Sequence, residues 1–334
     1  MTTNKKMLVI FLVIAFGIPV LLGVCMGIAF GKGKDVSAFP LVWMYLPASA
    51  VMVGSLVTGE ERTDRGGARL PCPRVFYVTF AVFAAAMVVI AAAGAFAEGV
   101  ESVIWISYLV YAVSLVSLAE LLLMKKNMRE AYGLLLTKNW KRGLAGIGLF
   151  VLIYLAICGI SAGIAYLMGG SPECYSLNPY WMNWLLIAMP VNLLLSFTAF
   201  FGEEYGWRYY LQPVLQAKFG KKKGVVILGI LWGLWHVPIN LFYYSPSTGV
   251  QSILVQLAGC VGMGIFFGWV YLCTQNVWAV TMLHFLNNNL GMALFSASAA
   301  GVERQWADTV ITIAIYLLVY VPFLFTKEYR EQSQ

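Results

Sequence analysis

Two adjacent carboxylates, Glu203 and Glu204, stand in the stretch Phe200-Phe201-Gly202-Glu203-Glu204-Tyr205-Gly206-Trp207-Arg208, directly after an apolar run long enough to cross a membrane. The chain has two histidines, His236 and His284; both fall inside further apolar runs, and His284 is followed by Asn287, Asn288 and Asn289. Ionisable groups at bilayer depth are costly, and a functional site is the default reading of them. Glu204 and Arg208 are four residues apart, in the favourable order for an intrahelical ion pair. Such a pair neutralises Arg208 and leaves Glu203, about 100° round the helix, free for other work. Burial disfavours a charged carboxylate while a nearby cation favours it, a balance that suits a general base working near neutral pH. His284 and Asn288 are also four apart, so on a helix both can face one ligand atom.

These residues need a bundle of membrane helices to hold them. The chain is 60% hydrophobic and 11% charged, against roughly 25% charge in soluble domains. Its mean hydropathy is +0.78. Apolar runs predict ten spans at about 7–30, 39–58, 75–97, 102–124, 144–168, 181–212, 224–243, 251–273, 277–295 and 307–325, so the fold class is an all-α polytopic bundle. Lys5-Lys6 before the first run resemble a signal peptide's start, but the run is too long and lacks a small-residue cleavage site, which points to an uncleaved span.

The basic residues orient the bundle. With the N-terminus in the cytoplasm, 18 lysines and arginines fall on cytoplasmic segments and three (Lys32, Lys34, Arg304) fall outside, with Arg208 intramembrane. That asymmetry predicts both termini inside. The net charge of +7 is thus orientation signal and lipid-headgroup contact, and it excludes a nucleic-acid patch. Lys221-Lys222-Lys223 reads as a solvated stop. The stretch Lys125–Arg142 reads as an interfacial helix, Glu120 as facing the headgroups, and 169–179 (with Glu173) as a loop. Trp181, Trp184, Trp232, Trp235, Trp269 and Trp278 read mostly as aromatic belt or packing. The six scattered cysteines lack metal or disulfide spacing.

Depth decides whether the carboxylates flank a span or lie in one. At about 1.5 Å per residue, His236 lies roughly 18 Å from the cytoplasmic side, His284 roughly 11 Å and Asn288 roughly 17 Å. A helix ending at Phe201 leaves Glu203 at the surface. One running from about Pro190 to Leu211, stopping before Pro213, brings Glu203 roughly 12–16 Å deep. The deep placement lets the groups meet, and it predicts a water-filled cavity opening to the cytoplasm.

Three motifs in order, Glu203-Glu204-x-x-x-Arg208, Trp232-x-x-x-His236 and His284-x-x-x-Asn288, resemble the CAAX-protease and bacteriocin-processing family of intramembrane endopeptidases. The resemblance covers about 190–295, including the glycine-rich Gly259–Gly268 and Thr274-Gln275-Asn276-Val277-Trp278. The family often has Phe where this chain has Trp232, a conservative change of aromatic. The resemblance implies that Glu203 activates water, His236 assists, His284 and Asn288 hold the oxyanion, and Glu204 and Arg208 shape the site. It implies cleavage of a protein or peptide substrate, CaaX-type or similar, lipid-modified or not. The family was long described as metalloproteases, and Glu203, His236 and His284 are a zinc-compatible set. The absence of HExxH and the presence of Asn288 favour a mechanism with no cofactor. Residues 1–180 then form helices of unassigned role, 181–300 the protease core, and 301–334 the last helix and tail of a multi-pass membrane protein, in the cell membrane if prokaryotic. The alternatives are a bacteriocin-immunity protein on the same scaffold, or a transporter, for which no inverted repeat is visible.

Overall fold

Inside a bilayer the backbone must satisfy its own hydrogen bonds, so apolar runs of this length fold as helices. The computed structural model describes residues 5–169, 176–295 and 300–330. In chain order the helices are α1 (Lys5–Gly31), α2 (Ala38–Thr58), α3 (Arg74–Phe96), α4 (Ser102–Leu123), α5 (Lys126–Ala131), α6 (Trp140–Leu167), α7 (Trp181–Phe219), α8 (Lys221–Trp235), α9 (Val237–Tyr244), α10 (Gly249–Thr274), α11 (Val277–Phe295) and α12 (Trp306–Tyr320). A two-stranded antiparallel ribbon, β1 (Glu61–Thr63) and β2 (Arg69–Pro71), joins α2 to α3.

Among the described residues eight helices are long and apolar enough to span a membrane, and the pair α8–α9, bent by 41°, makes nine. The tenth expected span is the 19-residue α11. His284 and the three asparagines that follow it make α11 too polar to pass on composition. The chain is a polytopic helical membrane protein.

Contacts gather the basic residues at one end. Arg65 pairs with Glu130, Arg62 lies over the rings of Tyr132 and Tyr209, and Lys221 donates to the Glu328 and Arg330 carbonyls. At the other end Lys32 and Lys34 donate to carbonyls of Gly94, Ala95 and Ala97, and Lys34 also pairs with Glu98.

Three local expectations need correction. Lys125–Arg142 is not one interfacial helix: α5 ends at Ala131, Gly133 takes φ +70°, and α6 starts at Trp140. The chain turns in because Tyr132 and Leu134 bury their side chains, and Asn276 and Trp278 donate to the carbonyls of Leu134, Leu136 and Lys138. Glu120 does not simply face headgroups; it accepts a 2.8 Å hydrogen bond from Thr79 across the α3–α4 contact. The sixth span does not stop before Pro213. It continues to Phe219 because a π-helical turn, Tyr205–Leu211, precedes the proline, which then sits in the first turn of the next α-helical segment, where its missing N–H costs little. Of the expected loop 169–179, positions 170–175, with Glu173 and Cys174, lie outside the described residues.

α7 is central. It packs on α2, α4 and α11. Small residues let backbones approach: a Cβ on Gly202 would collide with the Met44 carbonyl, and one on Gly206 with Pro47, both on α2. Polar side chains fix the rotation of α7. Thr198 bonds Tyr45 at 2.9 Å and Ser114 at 2.6 Å, and Tyr205 bonds Tyr77 at 2.7 Å and the Tyr132 carbonyl at 3.0 Å. Helices α2, α3 and α4, together with Tyr132, therefore buttress the helix that carries the carboxylates.

Candidate active site

The register of α7 turns both carboxylates inward, so Glu203 is 2% exposed and Glu204 fully buried. They have different partners. Glu204 Oε1 accepts from Arg208 at 3.0 Å and lies 2.8 Å from His284 Nδ1. The Arg208 guanidinium, also fully buried, lies over Trp232 with 4.5 Å to the ring centroid and over Phe267 with 5.2 Å. Glu203 Oε2 accepts from two indoles, Trp232 at 2.7 Å and Trp207 at 3.2 Å. That leaves Glu203 Oε1 unengaged by these donors. The ion pair expected from spacing is present, and Glu203 is kept apart from it.

His236 stands where α8 breaks. Pro238 has no N–H to continue the helix, and the His236 amide tightens to the Gly233 carbonyl at 3.1 Å. The Trp232 carbonyl, four residues back, is taken instead by His236 Nδ1 at 2.8 Å. A carbonyl only accepts, so Nδ1 carries the proton and Nε2 is the basic nitrogen. Asn240 fixes the break by donating to the His236 carbonyl at 2.9 Å, and Ser252 of α10 donates to Asn240 at 2.6 Å. Behind it the Trp235 indole reaches the Ala15 carbonyl at 2.8 Å, in a π-helical turn of α1.

The asparagine run divides its work. Asn287 donates to Asn288 Oδ1 at 2.9 Å, leaving the Asn288 amide N–H groups as donors. Asn289 faces away, accepting from Asn192 and donating to the Phe285 carbonyl.

Glu203, His236, His284, Asn288 and Trp232 all line one cavity of about 400 Å³; Glu204 and Arg208 lie behind it. The lining continues to Tyr244, Ser245, Val302 and Arg304, at the end of the bundle away from Lys221 and the basic cluster. The cavity lining therefore runs from α8 and α11 toward the segments 243–248 and 301–304. α8 and α10 approach closely beside it: a Cβ on Gly229 would come 2.6 Å from Val261 Cα.

Sequence reasoning missed four residues. Trp207 was signalled by its i+4 spacing from Glu203. Asn240 and Ser252 carried no signal, and Arg304 registered only as a charge outside. Trp232 also needs correction, because its indole N–H binds Glu203 and phenylalanine has no such donor; the exchange is not conservative. Among the described residues no three or more of His, Cys, Asp and Glu are arranged to hold a metal ion.

Fold and site define a polytopic membrane protein with a buried carboxylate–histidine cavity. Residues 183–290 match the family described as type II CAAX prenyl endopeptidase Rce1-like. Over 110 residues, 30% of this chain, it is 34% identical to CAAX prenyl protease 2 of Methanococcus maripaludis, and the chain spans 39% of that relative's length.

Proposed function

We propose that the chain is an intramembrane endopeptidase that hydrolyses a peptide bond of a membrane-associated protein or peptide. The observation that carries this reading is the convergence of Glu203, His236, His284 and Asn288 on one cavity. Glu203 Oε1 takes a proton from water as the water oxygen bonds to the scissile carbonyl carbon. His236, proton on Nδ1, accepts a hydrogen bond from that water at Nε2 and positions it. His284 and Asn288 donate to the developing oxyanion; such a donor is commonly worth about 10²–10³ in rate. The C–N bond then breaks, and Glu203 returns its proton to the leaving amine. Arg208 pairs with Glu204 in the buried interior, and a paired buried charge is far less costly than an unpaired one.

The donor geometry supports a mechanism without metal. Nδ1 of each histidine is committed within the protein, and Glu203 receives two indole N–H groups rather than sitting among further ligands. The relative's name brings a prenylated protein as the substrate class carried over to this chain. With the basic end in the cytoplasm, substrate enters from the membrane or the opposite face.

The test is cleavage of fluorogenic peptides, lipidated and plain, by the full chain in lipid nanodiscs. Cleavage by the wild type and none by Glu203→Ala is expected. Cleavage by Glu203→Ala at the wild-type rate refutes the assignment.

A further inference from the structure

The basic end of the bundle holds a second cavity, of about 460 Å³, that the chemistry above does not use. Glu60 and Arg62 at the ribbon, Glu130 on α5, Lys138 just before α6, and Tyr209 and Tyr210 on α7 all line it. Both carboxylates are already engaged. Glu60 Oε1 accepts from Arg62 Nε at 2.9 Å and Nη2 at 2.8 Å, its Oε2 accepts from Ser55 at 2.6 Å, and Glu130 pairs with Arg65. The Lys138 ammonium pairs with no acidic side chain among the described residues, which leaves it as the uncompensated charge of the lining.

The walls are held in place from several elements. Lys138 is fixed through its carbonyl, which accepts from Asn276 at 2.7 Å. The Arg62 guanidinium lies over the rings of Tyr132 and Tyr209, at 5.5 and 4.9 Å to their centroids. Gly133 admits the Tyr209 ring, since a Cβ there would come 2.5 Å from it. The Tyr210 hydroxyl is buried with no hydrogen-bond partner, and a buried donor left unmatched is costly. Met7, Val214 and Ala217 make the rest of the lining apolar, and Pro213 and Ala217 are exposed, so the cavity reaches the outer surface of α7.

We propose that this cavity binds the phosphate of an anionic phospholipid headgroup. The excess of basic residues marks this end as cytoplasmic, where anionic lipids supply a negative surface and basic pockets between membrane helices take up their headgroups. Lys138 meets the charge of the phosphate. Arg62 Nη1, which Glu60 does not use, and the Tyr210 hydroxyl donate to its oxygens. The apolar side of the lining takes the glycerol and the first carbons of the chains. Tyr209 stacks on Tyr205 at 4.4 Å, in the π-helical turn that follows Glu204. A lipid held here therefore braces α7 beside its carboxylates and stabilises the folded chain. The inference does not depend on the endopeptidase reading.

The experiment is native mass spectrometry and thermal unfolding of the full chain in detergent, titrated with phosphatidylglycerol or with phosphatidylcholine. The variants are Lys138→Gln, Lys138→Arg, Tyr210→Phe and Lys222→Gln, the last removing a charge at the same end but outside the cavity lining. The wild type is expected to retain one phosphatidylglycerol and to melt higher with it, and phosphatidylcholine to do neither. Lys138→Gln weakens phosphatidylglycerol about fivefold, Lys138→Arg restores it, and Lys222→Gln leaves it unchanged. Tyr210→Phe, which keeps every charge in place, weakens it about twofold or more. Equal binding of the two lipids, or equal weakening by Lys138→Gln and Lys222→Gln, shows diffuse attraction and overturns the site. A loss that Lys138→Arg does not restore overturns it as well. Displacement of the lipid by millimolar inorganic phosphate overturns the lipid as ligand and makes a soluble phosphate compound the occupant.

Discussion

The indole of Trp232 donates to Glu203 at 2.7 Å from a helix 29 positions further along the chain. With Trp207 it fixes one carboxylate oxygen and leaves the other for water. Trp232→Phe keeps the ring over Arg208 and removes only the donor. A hydrogen bond to a charged group is worth about 1.5–3 kcal/mol, so kcat is expected to fall roughly 10- to 100-fold with KM little changed. Steady-state cleavage in nanodiscs checks this; an unchanged kcat shows that the contact does not position the base.

The two carboxylates should separate by readout. Glu203→Gln preserves shape and a carbonyl acceptor for the indoles, so the protein should melt near the wild-type temperature while cleavage disappears. Glu204→Gln leaves Arg208 buried without its counter-charge, a loss of about 3–5 kcal/mol that should appear as a clear drop in Tm. Thermal unfolding in detergent, beside the cleavage assay, distinguishes them. Equal melting of the two variants contradicts the division of roles.

Glycine at the α2–α7 crossing is a requirement of space. Gly206→Ala drives a Cβ into Pro47, whereas Gly148→Ala on α6 meets nothing within 4 Å. Overpacking typically costs about 1–3 kcal/mol and more when backbone is the obstacle. The yield of folded Gly206→Ala protein should therefore drop sharply while Gly148→Ala stays at or above wild type. Size-exclusion profiles after extraction give the comparison.

Removal of metals is expected to leave cleavage intact. Incubation with a strong chelator followed by assay should give the wild-type rate. Activity lost on chelation and regained on adding Zn²⁺ would establish a metal role for Glu203, His236 and His284.

Sidedness can be read by labelling. In a cysteine-free background, Lys222→Cys should react with an impermeant maleimide only from the cytoplasmic face and Glu303→Cys only from the opposite one. Labelling of both from one face removes the assignment of the cavity's direction.

The arrangement of spans was readable because hydrophobicity and basic residues act along one dimension, the membrane normal. Glu204 with Arg208, and His284 with Asn288, were readable because helical periodicity pairs positions four apart. Trp232 with Glu203, Ser252 with Asn240, and Arg304 with the cavity join residues of different helices, whose relative rotation no periodicity encodes. The π-helical turn after Glu204 escaped because Pro213 alone reads as a stop.

The node at Thr198, where Tyr45 and Ser114 meet α7, bears on how such a protein can diverge. The recognisable portion, 183–290, is not a transplantable cassette. Its aim depends on hydroxyl groups contributed by helices that bear no family motif, so an exchange of front halves between relatives would rotate the carboxylates out of register unless those few hydroxyls travelled with it. Tyr45, Tyr77 and Ser114 are tied through their hydroxyl groups to the orientation of a helix distant from them in the chain.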